Sequence, residues 1–201
     1  MTHQVQGTAF ITGAASGIAA STTHKLAQNG ISNLALADLN VPGLEQIAKE
    51  LKATRPDLRT LILRVDVSSE DSVTAAVRKT VGEFGRIDIG VNCAGVAQEI
   101  CSTHETPKET WERVVGVNQT GDGRHYAKDG IRINALCPGF VATPLIQPGI
   151  DAGNFARDIE ALPIGRVGQP EEIADTILYM TSPMSSFMVG AAVVVDGGYS
   201  L

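Results

Sequence analysis

The stretch Thr8-Ala9-Phe10-Ile11-Thr12-Gly13-Ala14-Ala15-Ser16-Gly17-Ile18-Ala19 decides the fold of this chain. Thr8 to Ile11 reads as a strand, and Gly17 to Asn29 as the helix after it, closed by Gly30. The glycine-rich turn between them has a definite physical use. Glycine admits a backbone close to a pyrophosphate without a Cβ clash, and a helix N-terminus offers unpaired N–H groups with partial positive charge.

Working outward, short apolar runs alternate with helix-period segments, the pattern of a parallel sheet wrapped by helices. Leu34 to Ala37 reads as the second strand, followed by a helix whose Leu44, Ile47, Ala48 and Leu51 form one apolar stripe. Leu61 to Val65 is the third strand. Ser68-x-x-Asp71 resembles a capping box, opening a helix with Val73, Ala76, Val77, Thr80, Val81 and Phe84 on one face. Ile87 to Val91 is the fourth strand. Thr106-Pro107-Lys108-Glu109 then predicts a helix from Pro107 that buries Trp111, Val114 and Val115 as core. Ile131 to Leu136 reads as a strand, Glu171 to Met180 as a helix behind Pro170, and Ala191 to Val195 as the last strand.

Five motifs fall in a fixed order along this frame: Thr12-Gly13-Ala14-Ala15-Ser16-Gly17-Ile18, Asp38, Asp66-Val67, Asn92-Cys93-Ala94-Gly95, and Pro138-Gly139-Phe140-Val141-Ala142-Thr143, with Asn118 between the last two. Together they resemble the short-chain dehydrogenase/reductase family over nearly the whole chain. The resemblance implies a Rossmann-like, doubly wound, three-layer α/β fold, and an oxidoreductase moving a hydride between a nicotinamide dinucleotide and an alcohol or ketone of a small organic metabolite.

The resemblance assigns cofactor contacts to Gly13, Ser16, Gly17 and Ile18 for the pyrophosphate, Asp38 for the ribose hydroxyls, Asp66 and Val67 for the adenine edge, and Asn92, Ala94 and Gly95 beyond the fourth strand. Pro138, Gly139, Val141 and Thr143 match the segment that holds the nicotinamide carboxamide. Asp38 would repel a 2′-phosphate and has no basic neighbour at Ala15, Ser16 or Leu39, so NAD is favoured over NADP. Ala19 stands where the family pattern has a third glycine, and Cys93 where it has a second asparagine; neither removes the cofactor contact.

In the family a serine, a tyrosine and a lysine four residues later serve the proton transfer while an asparagine holds a water, and of that catalytic set only the asparagine is matched, as Asn118. No tyrosine here is followed four residues on by lysine: Tyr126 leads to Gly130, Tyr179 to Pro183, and Tyr199 to the end. A phenol ionises near pH ~10 and is a poor base at neutrality without a nearby cation. Tyr126 and Lys128 stand two residues apart, on opposed sides of a helix. The jump falls at about Thr120 to Arg124 and leaves the chain short by roughly 50 residues, close to one βα unit. The expectation is six parallel strands, with the strand at Ile131 paired directly with that at Ile87, and a catalytically impaired chain. The alternatives are a non-catalytic dinucleotide-binding module or an unstable truncated product.

The bulk numbers agree with one soluble domain over residues 1–201. The chain is 43% hydrophobic and 19% charged, with a formal charge of −6 and no basic block to meet a phosphate backbone, so a nucleic-acid partner is not expected. No run is long enough to span a bilayer, and Met1 to Gly7 shows neither a basic nor an apolar leader, so no membrane partner and a cytoplasmic location are expected. The three cysteines and four histidines show no ligand spacing, so no metal is expected. The partner is a small-molecule substrate; the resemblance leaves a homo-oligomer open, since part of one family interface is absent. The segment Pro144 to Leu162 matches the family's substrate-pocket cover.

Overall fold

A computed structural model describes residues 4–96 and 128–201 of the protein. The helix expected from Pro107, with Trp111, Val114 and Val115, lies outside the described residues, as do Asn118 and Tyr126. The chain forms two compact units: one comprises residues 7–15 and 32–120, the other residues 1–6, 16–31 and 121–201.

The first unit is built on a parallel sheet of β1 (Thr8–Thr12), β2 (Asn33–Asp38), β3 (Arg59–Arg64) and β4 (Ile89–Asn92), in the order β3-β2-β1-β4. All five residues of β1 are buried, as a central strand covered on both faces must be. The strand period divides the core. Phe10, Ala35, Ala37, Leu63 and Val65 cluster with Ala76 of α3 (Glu70–Phe84), so Leu34 and Leu36 face the other way, where both are fully buried. Helix α2 (Val41–Thr54) packs against β2 and β3 and buries Leu44, Ile47 and Leu51, three of the four residues of its expected stripe.

Two local expectations are corrected. The residue that caps α3 is Ser69, whose side chain accepts from Ser72 N–H at 3.3 Å, because Ser68 is already committed: its N–H and hydroxyl both donate to Asp66 Oδ1, at 3.0 and 2.6 Å. The apolar stripe of α3 is also narrower than its sequence suggests. Ala76 and Thr80 are buried and Val73 and Phe84 pack on the cluster, while Val77 and Val81 are exposed.

The second unit contains α1 (Gly17–Gln28), β5 (Ala135–Pro138), the short helices α4 (Gln147–Asp151) and α5 (Ala156–Glu160), α6 (Pro170–Thr181) and β6 (Ala192–Val195). Helices α1 and α6 pack together and are pinned by Lys25–Asp175 at 2.6 Å and by Ser21 Oγ donating to Glu171 at 3.1 Å. Helix α6 starts at a proline behind a capping box of Gln169 and Glu172.

Strands β5 and β6 pair in parallel, Ala135 with Ala192 through Pro138 with Val195. Among the described residues β4 pairs with β1 alone and β5 with β6 alone, so the expected direct pairing of the fourth and fifth strands is not among the pairings seen there. Ile133 O accepts from Gly190 N–H at 2.9 Å, and the Asn134 side chain takes Ala191 N–H at 3.0 Å and donates to Met188 O at 3.0 Å. These bonds tie the residues before β5, which starts at Ala135 rather than Ile131, to the approach of β6.

Candidate dinucleotide site

In the first unit the parallel register brings the carboxyl ends of the strands into line. Thr12 stands level with Ala37 and Asn92, and Asp38 with Arg64. This is the edge where open α/β sheets bind ligands. Thr12 Oγ1 accepts the backbone N–H of Cys93 at 3.1 Å and of Ala94 at 3.2 Å, which fixes the Asn92–Gly95 segment beside the glycine-rich turn. Gly13 adopts φ +72°, and a Cβ there would lie 2.9 Å from Ala94 Cα, so both conformation and space demand glycine.

Asp38 is half-buried at the end of β2, with Oδ2 accepting Ala15 N–H at 3.1 Å and Oδ1 accepting Asn40 N–H at 2.9 Å. A carboxylate has about four lone-pair sites, so each oxygen can still receive a ribose hydroxyl. Asp66 is held by Ser68, whose hydrogen bonds pull its carboxyl below the usual range and keep it ionised. The Val67 side chain packs on the core, which leaves its backbone for a ligand. Burial pushes the Cys93 thiol up to about 11, so it is a neutral packing group rather than a nucleophile.

In the second unit the start of α1 is unusual. Ser16 occupies the N-cap position without a side-chain cap bond, and the first turn holds no acidic residue. The longer helices α2, α3 and α6 differ: Asn40 caps α2, Ser69 caps α3 with Glu70 and Asp71 in its first turn, and α6 has its capping box with Glu171 and Glu172. A helix end without a side-chain cap or an acid keeps its N–H groups and partial charge for an outside anion. Ile18, half-buried, accepts Thr22 Oγ1 at its carbonyl, 2.8 Å away, leaving its own N–H at the open end.

Thr143 lies against that end: a Cβ on Gly17, itself at φ +57°, would lie 3.3 Å from Thr143 Cγ2. Pro138 ends β5, and Gly139 N–H donates to Val195 O at 3.1 Å so close to Asp196 that a Cβ would fall 2.7 Å from its Cα. Val141 is buried and bridges Gly168, so only its backbone can face a ligand. In the first unit the Asp38 carboxylate thus keeps lone pairs open for hydroxyl donors, and in the second the first turn of α1 keeps N–H groups open for an anion. Sequence reasoning missed Ala15, Asn40 and Gly43, which hold Asp38 and the turn; an asparagine two residues after a strand-end acid, with glycine three further on, was the available signal.

The chain matches the short chain dehydrogenase family model over residues 7–122 and the enoyl-(acyl carrier protein) reductase model over residues 123–200. It is 32% identical to cis-4-hydroxycyclohexanecarboxylate dehydrogenase of Sinomonas cyclohexanicum over 243 residues, covering 96% of each protein. It is 30% identical to cyclohexanol dehydrogenase of Acinetobacter sp. (strain SE19), covering 96% of this chain and 94% of that one. The crystal structure of levodione reductase superposes with a TM-score of 0.88 at 27% identity, covering 100% of this chain and 98% of the other. The chain belongs to the short-chain dehydrogenase/reductase family of oxidoreductases and has its Rossmann-like α/β fold. Members of that family work with nicotinamide dinucleotides.

Proposed function

We propose that this chain is a single NAD-binding domain of the cytoplasm, descended from an oxidoreductase acting on a small alcohol or ketone, whose own hydride transfer is impaired. The observation that carries the reading is the end of α1, which lacks both a side-chain cap and an acid, supported by the acid at Asp38 with no cation at Ala15, Ser16 or Leu39. The names of two relatives, a hydroxycyclohexanecarboxylate and a cyclohexanol dehydrogenase, favour an alicyclic alcohol as the ancestral substrate.

The first-turn N–H groups of Gly17 and Ile18 would hold the pyrophosphate, Asp38 the adenosine ribose, Asp66 with Val67 N–H the adenine edge, and Pro138, Gly139, Val141 and Thr143 the carboxamide. When bound, the nicotinamide supplies the hydride acceptor or donor. The partner chemistry is what is missing. The sequence contains no Tyr-x-x-x-Lys, and the alignment to the hydroxycyclohexanecarboxylate dehydrogenase runs over 243 residues against a chain of 201.

Titration of NADH and NADPH against thermal stability tests the cofactor reading, because a ligand bound to the folded state alone raises stability by mass action. NADH is expected to raise the Tm at lower concentration than NADPH; the reverse order would refute NAD preference. A second reading, an incompletely folded product, draws on the exposed apolar residues around β5 and β6, with Ile131 49% and Val194 55% exposed. A broad transition without cooperativity, unmoved by NADH, would favour it.

A further inference from the structure

We propose that Asp38 is the tether of the glycine-rich turn as well as its ribose acceptor, so that replacing it weakens the phosphate-binding turn itself and every ligand that uses it. The inference rests on the dinucleotide reading above and concerns what Asp38 does before any ligand arrives.

Two consecutive N–H groups of the turn are spent on the end of β2. Ala14 N–H donates to Ala37 O at 3.2 Å, and Ala15 N–H donates to Asp38 Oδ2 at 3.1 Å. The first is backbone to backbone and survives any substitution. The second depends on one carboxylate oxygen, and it is the last bond before the chain runs through Ser16 into α1.

That carboxylate is itself aimed. Asn40 N–H donates to Oδ1 at 2.9 Å, and the Asn40 side chain accepts Gly43 N–H at 3.2 Å, so the first turn of α2 fixes the loop that fixes Asp38. Gly43 is part of the same fit. A Cβ there would lie 2.9 Å from Ala15 Cβ and 2.7 Å from Asn40 Nδ2. Ala15 Cβ is rigid to its backbone, so filling that space moves the turn.

The consequence for specificity is concrete. If Asp38 only reads the ribose, removing it relieves repulsion of a 2′-phosphate and of any other anion, and NADPH and inorganic pyrophosphate bind as well or better. If it also tethers the turn, both bind worse although a negative charge has gone. The two cases move in opposite directions.

The test uses the full chain, with and without Asp38→Ala and Gly43→Ala. In the ligand-free protein, hydrogen exchange at the Ala15 amide is expected to rise by about tenfold or more in Asp38→Ala, with the core strands unchanged. Inorganic pyrophosphate, which has no ribose, is expected to bind about tenfold more weakly. Gly43→Ala keeps the carboxylate, and the better helix propensity of alanine offsets part of the cost of displacing Ala15 and the Asn40 side chain, so it is expected to fold, to expose the same amide and to weaken pyrophosphate likewise. It decides the question if Asp38→Ala unfolds. Unchanged Ala15 exchange in a folded Asp38→Ala protein, or pyrophosphate and NADPH binding as well or better there, would overturn the tether. Failure of the unmodified chain to bind NADH or pyrophosphate, with the exchange result intact, would overturn the dinucleotide reading and leave the tether standing.

Discussion

Arg132 closes the end of α6: its Nη2 donates to the Met180 carbonyl at 2.9 Å and to the Ser182 carbonyl at 3.3 Å, while Nη1 reaches Met188 O at 3.4 Å. The last carbonyls of a helix have no partner within it, and a guanidinium can take several at once while complementing the negative end of the dipole. Arg132→Met should therefore cost about 1.5–3 kcal/mol, the worth of charged hydrogen bonds, read as a lower urea midpoint. Arg132→Lys, with one compact head group in place of the fork, should fall between the two.

The two glycines of the turn should differ in their tolerance. Both have positive φ, at +72° for Gly13 and +57° for Gly17, so alanine at either pays about 1–2 kcal/mol for the left-handed backbone. Gly13→Ala also drives a Cβ to 2.9 Å from the Ala94 backbone, whereas Gly17→Ala meets a Thr143 methyl at 3.3 Å, where a few tenths of an ångström of movement suffice. Gly13→Ala should thus be the more destabilised of the pair and should lose NADH binding. Equal unfolding midpoints would refute the ranking.

Strand runs and the glycine turn were legible because each is a local signal: the run read from Thr8 to Ile11 is buried throughout in β1, and the helix read from Glu171 behind Pro170 is α6, which starts one residue earlier at that proline. The ordered motifs named the family for the same reason. What the sequence did not show is pairwise and non-local. Ser69 rather than Ser68 caps α3 because Asp66 competes for Ser68. Val77 and Val81 fall outside the cluster because the sheet fills only one side of α3. The tie between the approaches of β5 and β6, made by Ala191 N–H on the Asn134 side chain, joins residues 57 positions apart.

Acid should loosen the α6 start through one ion pair. Arg166 and the Gln169 N–H hold the Glu172 carboxyl down from 4.5 to about 2, the Arg166 hydrogen bond being the larger cause. A folded-state value below the unfolded one means that the stabilisation is present above pH ~4.5 and is lost as pH falls through about 2. The pair is exposed, so the effect is small and screened by salt. Over pH 5 to about 2 the Tm of Glu172→Gln should fall less steeply than that of the unmodified chain, and the gap should narrow in 1 M salt.

Turnover is the last expectation, and it follows from what the chain does not contain. Of the three tyrosines, none has a lysine four residues on; Tyr199 packs edge-on to Phe140 at 5.3 Å, and Tyr179 sits in α6. A positioned acid or base supplies about 10²- to 10⁴-fold, and no such group is matched here. NADH oxidation with a cyclohexanone-type ketone should therefore stay at background, and Tyr126→Phe should leave it there. Inserting the family's serine strand and Tyr-x-x-x-Lys helix between Thr120 and Arg124 should restore turnover if the cofactor residues are sound. Steady turnover by the unmodified chain that Tyr126→Phe abolishes would show instead that Tyr126 carries the proton, with no lysine at the usual spacing to lower its pKa.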